Sequence, residues 1–367
     1  MTRNGYHPED EQDFDDYLDD DLEDNVEYYD ALNDELEGAV EYSLEDALAA
    51  LPLQDTRLVP PAVLEGLSNL PPEALNQVRP LWERLPENQR TLLMERFAEA
   101  SEADYQLDYG TIAYLGYDDP SAAVREAAIM AGWSDETLPT MHKLMDMAQH
   151  DPAPLVRATA MMELGRYISL GENGDLDKSE TLPVEELALR LHQNLNENLS
   201  VRCGALEAIG NCTRDEVPAL IQAAYEDGDL ALRKSALNAM GSSCDERWSK
   251  IVLDELDNPH PPLAFEAIRA AGTLGLQDSV DKLKGFALGD DPQLQEAAIW
   301  SLGEIGGQAA IEALNAISYY AEEEGDEELA DAVDEALAMA VVLSDLALFD
   351  MDFMETDDDN NDDYPAQ

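Results

Sequence analysis

Positive charge is what this sequence most lacks. Its 367 residues hold 21 Lys and Arg against 81 Asp and Glu, a formal net charge of −60. So acidic a surface repels phosphate backbones and anionic lipid, which argues against nucleic acid or a membrane surface as a direct partner and leaves basic proteins or cations. Cysteine is scarce as well. Cys203, Cys212 and Cys244 form no paired framework, and the opening Met-Thr-Arg-Asn-Gly-Tyr-His-Pro-Glu-Asp has no apolar stretch of a secretion signal. The expectation is a reduced, cytoplasmic protein. Long apolar runs are missing too, the longest being residues 336–343, far too short to span a bilayer.

What is present is a repeated unit. Anchor residues Val124, Val156, Val201, Leu232, Leu263 and Leu294 are separated by 32, 45, 31, 31 and 31 residues, the range of stacked helical pairs. Four residues after each anchor stands Ala (128, 160, 205, 236, 267, 298), followed by a large aliphatic. The small side chain lets a neighbouring helix approach, and the aliphatic fills the layer between helices. Nine residues after the anchor stands Gly in five of six units, Trp133 being the exception. At that place a glycine is expected to end the helix in the left-handed conformation. Asp or Asn stands five residues before the anchor in all but the last unit, where a turn should open the helix. The interval of 45 is one repeat plus an insert at about 168–181, whose Gly171, Gly174, Asp175 and Asp177 read as an exposed loop.

This grammar resembles the HEAT repeat, in the short bacterial form of phycobilisome-lyase-type repeat proteins. The resemblance covers about residues 104–320 and rests on Asp-Pro-x-x-x-Val-Arg-x-x-Ala-x-x-x-Leu-Gly, as in residues 151–165. It implies an all-α, right-handed α-solenoid of about six HEAT-like repeats. Members of the family are mostly scaffolds, some being enzymes or lyases, so the fold alone does not assign a function.

Around the repeats (104–320) the chain divides into an acidic segment (1–50), an amino-terminal helical cap (51–103), a capping helix (321–350) and an acidic tail (351–367). Residues 1–50 carry nineteen acids against Arg3 alone, and residues 285–367 carry twenty-three acids and no Lys or Arg. Within the first segment Phe14, Leu18, Leu22, Val26, Tyr29, Leu32, Leu36 and Val40 recur at helical spacing. Two readings stay open: a solvated, disordered tail, or a lone amphipathic helix docking on a basic partner or on the solenoid. The end 351–367 reads as a disordered acidic tail, with a short docking motif as the alternative.

Tests for chemistry return little. Arg125, Arg157, Arg202 and Arg233, one residue after successive anchors, should form a ladder bridging to turn carboxylates such as Asp119, Asp151 or Asp227. Ala264 and Gln295 break it in the last two repeats. A di-iron hydroxylase built on this fold uses His-Glu pairs on successive repeats. Here His7, His142, His150, His192 and His260 are none of them followed by Glu, so that ligand set is missing. We find no nucleophile triad, no phosphate-cradling Gly loop and no Cys-x-x-Cys. No catalytic, metal or cofactor residue is expected. The sequence reads as a non-enzymatic scaffold or adaptor whose concave face and acidic surface bind a protein or peptide, basic by charge. Its oligomeric state is not set by the sequence. The alternatives are a phycobilin-lyase-type accessory enzyme and a chaperone-like shield for a basic client.

Overall fold

The computed structural model describes the backbone of residues 42–51 and 59–358, and the side chains of 42–51 and 59–344. The apolar series from Phe14 to Val40 and the end of the acidic tail lie outside the described residues. Within them every regular element is helical. The amino-terminal cap is α1 (Leu44–Ala50), α2 (Pro61–Leu67), α3 (Leu75–Trp82) and α4 (Glu87–Ala103). The repeats follow as α5 (Gly110–Ala113) with α6 (Ala122–Ala131), then α7 (Leu138–His150) with α8 (Pro154–Glu163). The insert helix α9 (Gly165–Asn173) precedes α10 (Lys178–Gln193), which pairs with α11 (Leu199–Ile209). Next come α12 (Val217–Tyr225) with α13 (Leu230–Ser242), α14 (Ser249–Glu255) with α15 (Pro261–Thr273), and α16 (Val280–Ala287) with α17 (Pro292–Ile305). Finally α18 (Gly307–Glu324) pairs with α19 (Glu327–Asp358).

The second helices α4, α6, α8, α11, α13, α15, α17 and α19 stack directly on one another, whereas the first helices touch their own partners and, apart from α16 and α18, hardly one another. Helices closer on one side than on the other curve the stack, and the side of the second helices is therefore concave. The core lies between the two layers. The Ala four residues after each anchor is fully buried in all six units. The buried core divides into two clusters at α15, which contributes to both.

The repeating glycine does not do what its position suggested. Gly165, Gly210, Gly241, Gly272 and Gly303 are not among the positive-φ residues, and three of them lie inside their helices. Each instead faces a small residue of the next second helix. A Cβ placed on Gly210 would lie 2.7 Å from the Ala239 Cα, and on Gly241 3.0 Å from the Ala270 Cα. Gly165 meets Ala208, Gly272 meets Ser301, and Gly303 meets Ala336 in the same way. The missing side chain is a packing requirement, since only glycine admits backbone this close. The glycine is missing at two junctions, α4 to α6, with Ala98 in its place, and α6 to α8, where the corresponding pair is Trp133 and Glu163. There α6 packs on α8 less extensively than α8 on α11, and the Trp133 indole turns back to donate to Ser101 of α4 at 2.8 Å.

Three segments depart from expectation. The end of the acidic first segment is folded: Ser43 and Asp46 form a reciprocal capping box for α1, whose Ala47 is buried in the cap's core. The insert is largely helix, α9 being closed by Gly174 in the left-handed conformation and α10 opened by the Asp177 side chain. Gly171 is buried because Thr181 of α10 packs against it. The last helix runs on to Asp358, past the expected end of the capping helix.

Two substitutions check the packing role. Gly210→Ala is expected to lose about 1–3 kcal/mol of stability by overpacking. Gly285→Ala, with nothing within 4 Å of its Cβ, should gain about 0.5–1 kcal/mol from helix propensity. Denaturant midpoints of the two variants with equal or inverted signs would remove the glycine–alanine seam as the determinant of stacking.

Candidate binding face

The ladder arginines join successive turns. Arg125 donates from Nε and Nη2 to both Asp151 oxygens at 2.7 and 2.8 Å, and from Nη1 to the Asp119 carbonyl at 2.8 Å. Arg157 reaches the Asp151 carbonyl at 2.8 Å and Glu197 at 2.7 Å. Arg233 pairs with Glu255 at 2.6 Å and lies over the Tyr225 ring. Arg202 donates to the His192 carbonyl at 3.1 Å. Arg125 and Arg157 thus tie the turn before their own helix to the next repeat, Arg125 with the bidentate geometry that favours Arg over Lys, whereas Arg202, expected as a rung, bonds back to the preceding helix of its own repeat. Asp227, expected as a partner, accepts only a local turn amide, that of Asp229.

An additional rung precedes the four. Arg90 of α4 donates to both Asp119 oxygens at 2.7 and 3.0 Å and to the Leu85 carbonyl at 2.6 Å. The signal was present in the sequence, since Leu93 and Met94 follow Arg90 at the offsets at which Ala128 and Ile129 follow Arg125. Past Arg233 the ladder is replaced. Gln295, standing where the arginine would, donates to the Ala287 carbonyl at 2.9 Å.

Among the described residues one trio of metal-capable side chains converges: Glu172 of α9, Glu185 of α10 and Cys212 after α11. Their charges are already matched. Lys178 lies 2.6 Å from Glu172 and 2.7 Å from Glu185, and the Cys212 thiol donates to Glu185 at 3.3 Å. Burial, reinforced by Glu185, pushes that thiol up to about 12, so near neutrality it is a proton donor and not a thiolate ligand. Burial opposes the ionisation of Glu172. Hydrogen bonds from Lys178 and from the amide and hydroxyl of Thr213 outweigh it and hold the carboxyl at about 2. The cluster fastens the insert to the repeat that follows. His142 and His150 are exposed on α7, and His192 is buried with Nδ1 3.0 Å from the Arg202 carbonyl.

The second helices carry a different set of side chains on their concave side. Residues at the anchor and four after it point into the core, so those two, six and ten after it face the groove. In the amino-terminal half Leu155, Met162 and Trp133 are exposed. Phe265 and Trp300 take that role in the carboxyl-terminal half, Trp300 being 55% exposed.

Between these apolar groups stands a series of carboxylates. Burial raises Glu126 above the usual carboxylate range, helped by Glu95 and opposed by Thr159. Glu163, seven after its anchor and so at the seam toward α6 and outside this series, is raised by burial against the pull of Arg166, 3.0 Å away. Glu207 is raised by burial and by Glu266, although Ser235 donates to it. Glu304 is raised by burial, opposed by Trp300 and Arg269. Each is an anion that the free fold disfavours. By linkage, a carboxyl whose folded pKa is raised contributes stability below its unfolded pKa and loses that contribution as pH rises through the folded value.

Two checks follow. Arg125→Ala leaves Asp151, with a side chain only 6% exposed, as an unmatched buried charge, and should cost about 3–5 kcal/mol, with Arg125→Lys recovering little of it. An Arg125→Ala loss below about 1 kcal/mol would mean that the ladder bears no load. The second check uses Glu172, whose contribution is present above its unfolded value of 4.5 and lost as pH falls toward about 2. Glu172→Gln should flatten the fall in stability across that window, as followed by thermal unfolding at several pH values.

Residues 249–338 match the family described as HEAT repeats. No curated protein matches the chain. Among solved structures the chain is similar to YibA of Escherichia coli, with 15% identity over 72% of this chain and 92% of that one and a TM-score of 0.36. It is also similar to human deoxyhypusine hydroxylase in complex with glycerol, with 15% identity over 73% and 96% and a TM-score of 0.33. No helix among the described residues is long and apolar enough to cross a membrane. The matched segment spans α14 to the first part of α19, and helical pairs of the same grammar stand ahead of it, so that the described residues form an all-α, HEAT-like solenoid.

Proposed function

We propose that the chain is a non-enzymatic binding scaffold whose concave face holds a basic segment of a protein partner. One observation carries the reading: half-buried carboxylates Glu126, Glu207 and Glu304 stand among exposed apolar side chains on that face, each with its ionisation opposed by burial. A group that costs the free fold stability is accounted for by what it does when occupied. A lysine or arginine supplies both parts of the match, an apolar stem for the exposed Met, Leu and Trp and a charged head for the carboxylate. The repeat spacing resembles the phycobilisome-lyase type, whose members are mostly scaffolds, and the net charge of −60 favours the same class of partner.

The test is a calorimetric titration of the full chain with a lysine- and leucine-containing peptide of about 20 residues, long enough to cross several repeats, at ~50 and ~300 mM salt. Binding should weaken with salt. The double variant Glu126→Gln, Glu207→Gln should bind roughly tenfold less tightly and yet unfold at a higher temperature near neutral pH. Because burial raises these carboxyls in the free chain and a bound cation would lower them, binding should release protons at mildly acid pH, seen as a dependence on the buffer's ionisation enthalpy. Affinity unchanged in the double variant, with a large loss on Asp19→Asn, Asp20→Asn, Asp21→Asn, would move the site to the acidic amino-terminal segment.

A further inference from the structure

The concave face carries a cleft of about 620 Å³ between α15 and α17. Its apolar walls are Pro261, Pro262 and Phe265 on one side and Leu294, Ala297 and Trp300 on the other. We infer that this cleft receives one long basic side chain of the partner, its stem against Trp300 and Pro262 and its cationic head at Glu296 and Asp291. The inference rests on the proposed binding of a basic segment and names the position at which that segment is anchored.

The charges around the cleft decide its polarity. Two cations of this chain, Lys234 and Arg269, line it. Lys234 is paired with the buried Glu266 at 3.4 Å. The Arg269 guanidinium lies 6.0 Å from the centre of the Phe265 ring, within the fields of Glu207 and Glu304. Those positive charges are therefore answered from inside the groove. The rim toward α17 carries the opposite sign. Asp291 uses Oδ1 to accept the Gln293 and Leu294 amides at the start of α17, and Glu296 is exposed one turn on. An arginine or lysine entering past Trp300 meets an aromatic face suited to a cation and then two carboxylates. An acidic side chain would meet Lys234 and Arg269 only by displacing them from Glu266, Glu207 and Glu304, and it is the rival occupant.

The indole N–H signals of the four tryptophans report on the site directly, with Trp300 assigned through Trp300→Phe. The full chain is titrated separately with N-acetyl-arginine amide, N-acetyl-glutamate amide and N-acetyl-leucine amide up to tens of mM, the range in which one side chain binds. The arginine probe should move the Trp300 signal saturably and leave those of the buried Trp82 and Trp248 in place. Glu296→Gln should raise the half-saturation point at least threefold, by the loss of one carboxylate partner. A silent Trp300 signal, or a glutamate probe binding as well as the arginine probe, overturns the inference. If the basic peptide binds the chain while Trp300 stays silent, the cleft is lost and the groove reading stands. If the arginine probe saturates Trp300 while the peptide does not bind, the cleft stands and the scaffold reading fails.

Discussion

The structure depends on how closely one second helix can approach the next. At five junctions a glycine faces an alanine or serine, and a Cβ on the glycine would collide with the neighbour's backbone. That approach draws the stack together on one side while the first helices stay apart on the other. Curvature, and with it a groove, is the geometric consequence. The arginine rungs fix what the close contact permits, since Arg125 and Arg157 each hold their own turn to the next repeat through directional bonds that a sliding or untwisting stack would break. Packing sets the distance between repeats, and the ladder sets their register.

Charge within the fold is divided in kind. The acids that meet arginine, Asp119, Asp151, Glu197 and Glu255, lie between turns and bear on stability. The acids on the groove side are half-buried, and burial pushes Glu126, Glu207 and Glu304 toward protonation, against the fields of Lys234 and Arg269 on Glu207 and of Arg269 on Glu304. The same residue type thus serves two ends, separated by whether a guanidinium is hydrogen-bonded to it. A chain with 21 basic residues for 81 acidic ones places several of the former in struts. The groove is left with more anions than the fold itself can neutralise.

Much of the fold could be read from the residues, because turn, anchor and buried alanine are local signals repeated at near-constant spacing. The rungs at Arg125, Arg157 and Arg233 were legible for the same reason. The role of the glycines was not, since a left-handed stop and a close approach leave the same letter, and only the position of the next helix separates them. Arg90 escaped because its unit lies ahead of the regular anchors and has Gln89 where they have Val or Leu. The insert read as a loop because Gly171 suggested a turn, whereas it admits Thr181 against a helix. The groove carboxylates were hardest to see. They occupy different offsets in different repeats, Glu126 two after its anchor, Glu207 six and Glu304 ten, and become a row only when the helical period puts those offsets on one face and the stack sets the helices side by side.

The account stands or falls on where a basic segment lies. Backbone hydrogen exchange of the full chain, with and without the lysine- and leucine-containing peptide, maps this repeat by repeat. Added protection should fall on the groove-facing second helices, from Ala122–Ala131 through Pro292–Ile305, and be greatest around Pro261–Thr273 and Pro292–Ile305. Protection confined to the first helices, or to residues 1–41, would contradict it.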